Sequence, residues 1–189
     1  MTFPAANALS ENISFDYVEG TFTSSTIDPG ASPHELEGNG IGFALSLSFN
    51  PHYAITLAVL ATTFNTFQNN PADTVKTTNL GITGHTEIAE ATEIFGNASL
   101  LKTEITTTDG DTTSMDKEVG YNLKIGLRHF VHKSIELEFG ASHLYALDYP
   151  ANTLNAEVRL YMRKQLSLGL AYITGDNKDS LSLNGRLNF

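Results

Sequence analysis

The chain contains no cysteine, so neither a disulfide framework nor thiolate chemistry is open to it. It contains few charges: 17 % of residues are Asp, Glu, Lys or Arg, against roughly 25 % in ordinary soluble domains. Basic residues are the scarcer sign, and the net charge of −10 argues against nucleic acid as a partner. No stretch reaches the ~18 consecutive apolar residues that a membrane helix needs. Met1-Thr2-Phe3-Pro4 offers no basic segment followed by an apolar one, so no secretory signal is visible. If the protein is exported, the sequence corresponds to the mature form.

What the chain has instead is period two. Leu166, Leu168, Leu170 and Tyr172 alternate with Ser167, Gly169 and Ala171. Leu181, Leu183, Leu187 and Phe189 alternate with Ser182, Asn184, Arg186 and Asn188. The same rhythm runs through Leu154–Met162, Ile135–Ala141, Val119–Leu127, Ile41–Phe49 and Tyr53–Val59. Alternation of this kind marks strands with one buried and one polar face, and helix-period stretches are nearly absent. Ten strands are predicted, over 12–24, 38–50, 53–66, 76–86, 91–106, 117–130, 134–147, 153–163, 165–174 and 179–189. Eight is the alternative, because 12–24, 76–86 and 91–106 are weaker. Phe95 and Leu101 break the pattern in the last of these. In the first, Glu19 follows Ile13, Phe15 and Tyr17 on one face; a β-bulge at Tyr17-Val18 would return it to the polar side.

The connectors alternate in length. Asn50-Pro51-His52, Val131-His132-Lys133 and Arg163-Lys164-Gln165 read as tight turns. Longer polar connectors are expected at 25–37, 67–75, 107–116, 148–152 and 175–178. Short turns at one end and longer loops at the other fit a closed antiparallel up-and-down transmembrane β-barrel over 12–189, all-β, with 1–11 as an N-terminal periplasmic extension. Closure leaves no strand edge in lipid. The polar face decides between a lipid-facing barrel and a soluble ligand-binding one. It carries Gly42, Ala44, Ser46, Ala54, Thr56, Ser167 and Gly169, residues small enough for a crowded interior rather than long enough for a solvated surface. Aromatics also cluster by height. Phe49, Tyr53, Phe130 and Phe189 are expected near the short turns, and Tyr145, Tyr149 and Tyr172 near the loops, as two interfacial girdles.

The ending Ser180-Leu181-Ser182-Leu183-Asn184-Gly185-Arg186-Leu187-Asn188-Phe189 and the segment Asp16-Tyr17-Val18-Glu19-Gly20-Thr21-Phe22 resemble the last and first strands of the small bacterial outer-membrane barrels of the OmpA and OmpX type. The resemblance covers nearly the whole chain. It implies a location in the outer membrane and contact with membrane lipid and lipopolysaccharide. It also implies that Leu187 and Phe189 form the signal read by the barrel-assembly machinery. Barrels of that type have eight strands, whereas ten are read here, and ten-stranded barrels include proteases and adhesins.

The candidate site is a lumen charge network of Asp16, Glu136, Glu138 and Glu157 with Lys124, Arg128, Arg159, Arg163 and Arg186. Such a set could tune a narrow passive pore. Alternatively, cross-strand pairing would make it a plug that closes a structural barrel, which is the preferred reading. A third function is a surface-interaction barrel working through acidic loops: Asp28, Glu35, Glu37, Asp73, Asp109, Asp111, Asp116, Asp148 and Asp176 fall in the connectors. Asp109-Gly110-Asp111 with Asp116 does not match a calcium-loop spacing. No cofactor and no metal site are expected, and oligomeric state is left open. No enzyme is expected either: GxSxG, HExxH and phosphate-loop motifs are missing, and Ser142 and His143 are adjacent on a strand, so they point to opposite faces.

Overall fold

A computed structural model describes residues 14–27, 36–65, 73–109, 112–146, 149–176 and 178–189. Ten antiparallel strands close on themselves: β1 (Tyr17–Ile27), β2 (Leu36–Asn50), β3 (Tyr53–Asn65), β4 (Asp73–Ala89), β5 (Thr92–Asp109), β6 (Thr112–His132), β7 (Ile135–Ala146), β8 (Tyr149–Tyr161), β9 (Leu166–Gly175) and β10 (Lys178–Asn188). Each strand pairs with its sequence neighbours, and β1 pairs with β10. The count of ten holds, weak segments included. The proposed extension lies among residues 1–13, outside the described residues.

The barrel is inside-out relative to a soluble protein. Ile41, Leu80, Leu100, Val119, Leu154, Leu170 and Leu183 all stand on the outer wall and are more than half exposed. Ser46, Ser167, Arg159, Glu136 and Asn184 are buried within it. This is the face assignment that the alternation predicts. A contiguous apolar wall of this size on a water-soluble monomer would be exceptional; in hydrocarbon it is the required surface.

Two-residue turns join β4 to β5 (Glu90-Ala91) and β6 to β7 (Lys133-Ser134). Ala91 has φ 60°, a left-handed conformation that a side chain disfavours; its methyl is buried with Phe130 and Tyr161. The short-turn rim is stitched by backbone hydrogen bonds. His85 N–H donates to His52 O (2.8 Å), Phe130 to Ala91 (2.9 Å), Tyr161 to Ser134 (2.8 Å), Asn188 to Gln165 (2.7 Å) and Phe189 to Asp16 (3.1 Å).

Three expectations are corrected here. β1 pairs without interruption from Tyr17 to Ile27 on both sides, so no bulge occurs at Tyr17-Val18. The barrel instead has Phe15, Tyr17 and Glu19 all turned inward, tolerating aromatic rings in the lumen; register shifts fall beside the short turns, at Ser48/Asn50, Glu87/Ala89 and Phe130/His132. Phe130 is not a girdle residue: it is 3 % exposed, with its ring 5.4 Å from that of Tyr161 inside the barrel. The expected 107–116 loop is mostly strand. β5 and β6 pair as far as Asp109 and Thr112, nine residues beyond Leu100, which carries this hairpin roughly 30 Å further along the strand direction.

Candidate functional site

Strand parity delivers long polar side chains to the lumen from β1, β6, β7, β8 and β10. Arg159 on β8 is 1 % exposed. Its Nη2 lies 2.8 Å from Glu19 Oε2 on β1, its Nε 3.8 Å from Glu136 Oε1 on β7, and its Nη2 also meets Glu157, two residues away on its own strand. Glu19 is shared: Arg186 Nε on β10 donates to the same oxygen at 2.8 Å. A second group centres on Glu138, which accepts from Lys124 Nζ at 2.7 Å and Arg128 Nε at 2.9 Å. Asn155 and Asn184 amides donate to Glu138 and Glu157 at 3.3 Å, and the Tyr161 hydroxyl to Glu136 at 2.9 Å. Four carboxylates thus face four cations, and their charges cancel.

Rings floor this network. Arg128 lies over Phe15 (4.5 Å) and Phe95 (5.0 Å), Lys124 over Phe95 (5.1 Å), and Arg186 over Tyr17 (4.0 Å). Cations over ring faces recover part of the attraction they lose on leaving water. Phe15 precedes β1 and folds into the short-turn end, stacked on His85 at 3.7 Å. Above the network, toward the loops, a cavity of about 320 Å³ is bordered by Thr21, Thr23, Ser142, Thr153 and Ser182.

Of the expected set, Lys124, Arg128, Glu136, Glu138, Glu157, Arg159 and Arg186 come together in the lumen. Two do not. Asp16 precedes β1 with opposite parity to Tyr17, and its carboxylate accepts the Ser48 N–H at the rim. Arg163 is exposed in the β8–β9 turn, because β8 ends at Tyr161. Glu19 takes a place in the network. Simple alternation with Thr21, Thr23 and Ser25 was the signal for it. Leu187 and Phe189 face outward, 47 % and 60 % exposed, at the end of the last strand. Ser142 bonds Thr153 (2.7 Å) while His143 bonds Asn152 (2.9 Å). No group of three potential metal ligands occurs among the described residues, and Gly110 and Asp111 of the acidic cluster lie outside them.

Space for the network depends on small neighbours. A Cβ at Gly126 would stand 2.6 Å from Phe95 Cζ and 2.7 Å from the Phe139 carbonyl oxygen. Gly126→Ala is therefore expected to destabilise the barrel by about 1–3 kcal/mol. Urea-unfolding midpoints in lipid vesicles measure this, and part of the loss should return in a Phe95→Leu background. An unchanged midpoint would mean that the Phe95 ring is not held against this wall.

The family model described as outer membrane protein beta-barrel domain matches residues 1–180. The chain belongs to that family. It is a bacterial outer-membrane β-barrel protein, and the apolar outer wall is its lipid-facing surface. No curated protein matches its sequence. Among solved structures, Neisserial surface protein A is similar over 93 % of this chain and 98 % of that one, at 11 % identity and TM-score 0.55. The translocator domain of autotransporter NalP from Neisseria meningitidis is similar over 97 % and 93 %, at 9 % identity and TM-score 0.53. The attachment invasion locus protein Ail of Yersinia pestis, solved with the heparin analogue sucrose octasulfate, is similar over 92 % and 97 %, at 8 % identity and TM-score 0.50. At these identities the likeness is one of fold. The family places the protein in the lipid of the outer membrane.

Proposed function

We propose that this protein is a closed structural barrel: a non-conducting, non-enzymatic outer-membrane protein whose lumen charges form a plug rather than a selectivity filter. The observation that carries this reading is Arg159, buried and shared among carboxylates from β1, β7 and β8. A filter must hold ions weakly enough to release them. Here the charges satisfy one another across the lumen, and Phe15 and Phe95 pack against them at the short-turn side. The cavity above the plug then ends blindly.

The test is conductance of the refolded protein in planar bilayers. The wild type is expected to be silent. Replacing Glu19 and Arg159 together by alanine removes one acid and one base from the centre of the plug, and discrete openings are expected to follow. Steady channels in the wild type, altered in selectivity by Glu138→Gln, would replace the plug with the pore reading.

The projecting β5–β6 hairpin favours a second role, contact with a partner at the cell surface. Trimming residues 103–116 to a tight turn is expected to abolish binding of the folded protein to a cell surface while leaving the heat-dependent gel mobility of the barrel intact; undiminished binding would reject this role.

A further inference from the structure

The chain has 11 lysines and arginines. Five of them, Lys124, Arg128, Arg159, Lys178 and Arg186, line the lumen. Three more, Lys133, Arg163 and Lys164, sit at the short turns. The remaining three are Lys76, Lys102 and Lys117, from β4, β5 and β6, and they converge on the outer wall at the loop end. Their ammonium groups lie 4.0, 2.9 and 3.5 Å from the Glu104 carboxylate, and each side chain is about half exposed (51 %, 51 % and 53 %). Register brings them together: Glu104 pairs with both Lys76 and Lys117, and Lys102 is two residues away on the same face. Three cations around one anion leave a local charge of +2 on a protein whose net charge is −10.

Stability does not account for this arrangement. Exposed ion pairs contribute little, and three ammonium groups around one carboxylate repel each other. The position does suggest a role. Lys102 pairs with Val119, and the next outward residue below it, Leu100, belongs to the apolar wall. The lysines therefore stand at the boundary between hydrocarbon and head groups, on the loop side of the membrane. Directly beneath them the wall is dented by an apolar groove of about 560 Å³, floored by Ala98 and walled by Leu80, Ile82, Leu100, Tyr121 and Leu123. A cationic patch above an acyl-sized groove matches an amphiphile with a phosphate head and a hydrocarbon tail.

We infer that Lys76, Lys102 and Lys117 form a phosphate site for lipopolysaccharide of the outer leaflet, with one acyl chain lying in the groove over Ala98. The lysine charge answers a phosphomonoester, and Glu104 holds the three ammonium groups in reach of it. The site is on the outer wall and is independent of whether the lumen conducts.

The experiment measures lipid binding to the folded protein in zwitterionic detergent with chelator present, so that divalent bridges to other acids are removed. The probes are lipopolysaccharide, the same lipid after enzymatic dephosphorylation, phosphatidylglycerol and inorganic phosphate. Lysines near an anionic surface each contribute about fivefold in affinity. Single Lys→Gln changes at 76, 102 and 117 are expected to weaken lipopolysaccharide binding by about that factor, and the triple change by about a hundredfold. Dephosphorylation should mimic the triple variant, and Ala98→Phe, which fills the groove, should weaken binding with the lysines intact. Inorganic phosphate alone should bind too weakly to compete. Heat-dependent gel mobility checks that each variant folds; the single variants carry the test if the triple one does not. The inference is overturned if the variants bind lipopolysaccharide as the wild type does, if dephosphorylation has no effect, or if phosphatidylglycerol binds equally well.

Discussion

Arg159→Met is expected to lower the stability of the folded barrel by about 3–5 kcal/mol, the range for removing one partner of a buried ion cluster. Methionine approximates the length of the arginine stem and leaves little cavity, so the loss reports charge rather than packing. Without the guanidinium, Glu136 and Glu157 lose their arginine contact, Glu19 keeps only Arg186, and all three carboxylates remain in a lumen with little water access. The measurement is the urea midpoint in lipid vesicles, followed by far-ultraviolet circular dichroism because the chain has no tryptophan. Adding Glu136→Gln and Glu157→Gln to Arg159→Met should restore part of the loss, since uncompensated carboxylates, not the missing arginine, are what destabilise. If Arg159→Met unfolds at the wild-type midpoint, the lumen is hydrated enough to screen these charges and the plug is not a structural element.

Leu170→Arg is expected to destabilise by about 2–4 kcal/mol, the effect of a cation at the midplane of a lipid-facing barrel wall. Leu170 lies midway along β9, is 54 % exposed on the outer wall, and pairs with Val158 and Leu183, both also outward. The same substitution near a strand end, at Leu166, should matter much less because the guanidinium can reach the head groups. Equal effects at the two positions would show that no hydrocarbon surrounds this face.

Both predictions rest on a division of faces that is legible in the chain itself. Leu181, Leu183 and Leu187 against Ser182, Asn184 and Arg186 need no partner to be read, because side chains on a strand alternate by geometry. The crowded inner wall was equally visible in Ser46, Ala54 and Ser167. Where the reading failed, it failed for aromatic or apolar residues in the lumen. Phe95 and Leu101 blurred β5 because both point inward, Phe95 to sit beneath Arg128 and Lys124. Height along the strand points Phe130 to a girdle, although its parity with Arg128 places it inside. A bulge at Tyr17 follows only from the same premise, that a ring must face lipid. Yet Tyr17 lies inside, against Arg186. Alternation extends the inner face of β8 to Arg163, but a strand end is set by turn hydrogen bonds, here Leu166 N–H to Arg163 O and Arg163 N–H to Leu166 O.

The amino-acid order alone is enough to specify strands, faces, closure and the membrane, because each follows from a two-residue period that is local. It is not enough to say which charges meet. Glu19 and Arg159 are 140 residues apart, and their contact exists only because β1 closes on β10 in one register, which brings β1 within three strands of β8 around the lumen. The gathering of Lys76, Lys102 and Lys117 likewise depends on the stagger of three neighbouring strands. A shift of one residue would turn each of them to the other face.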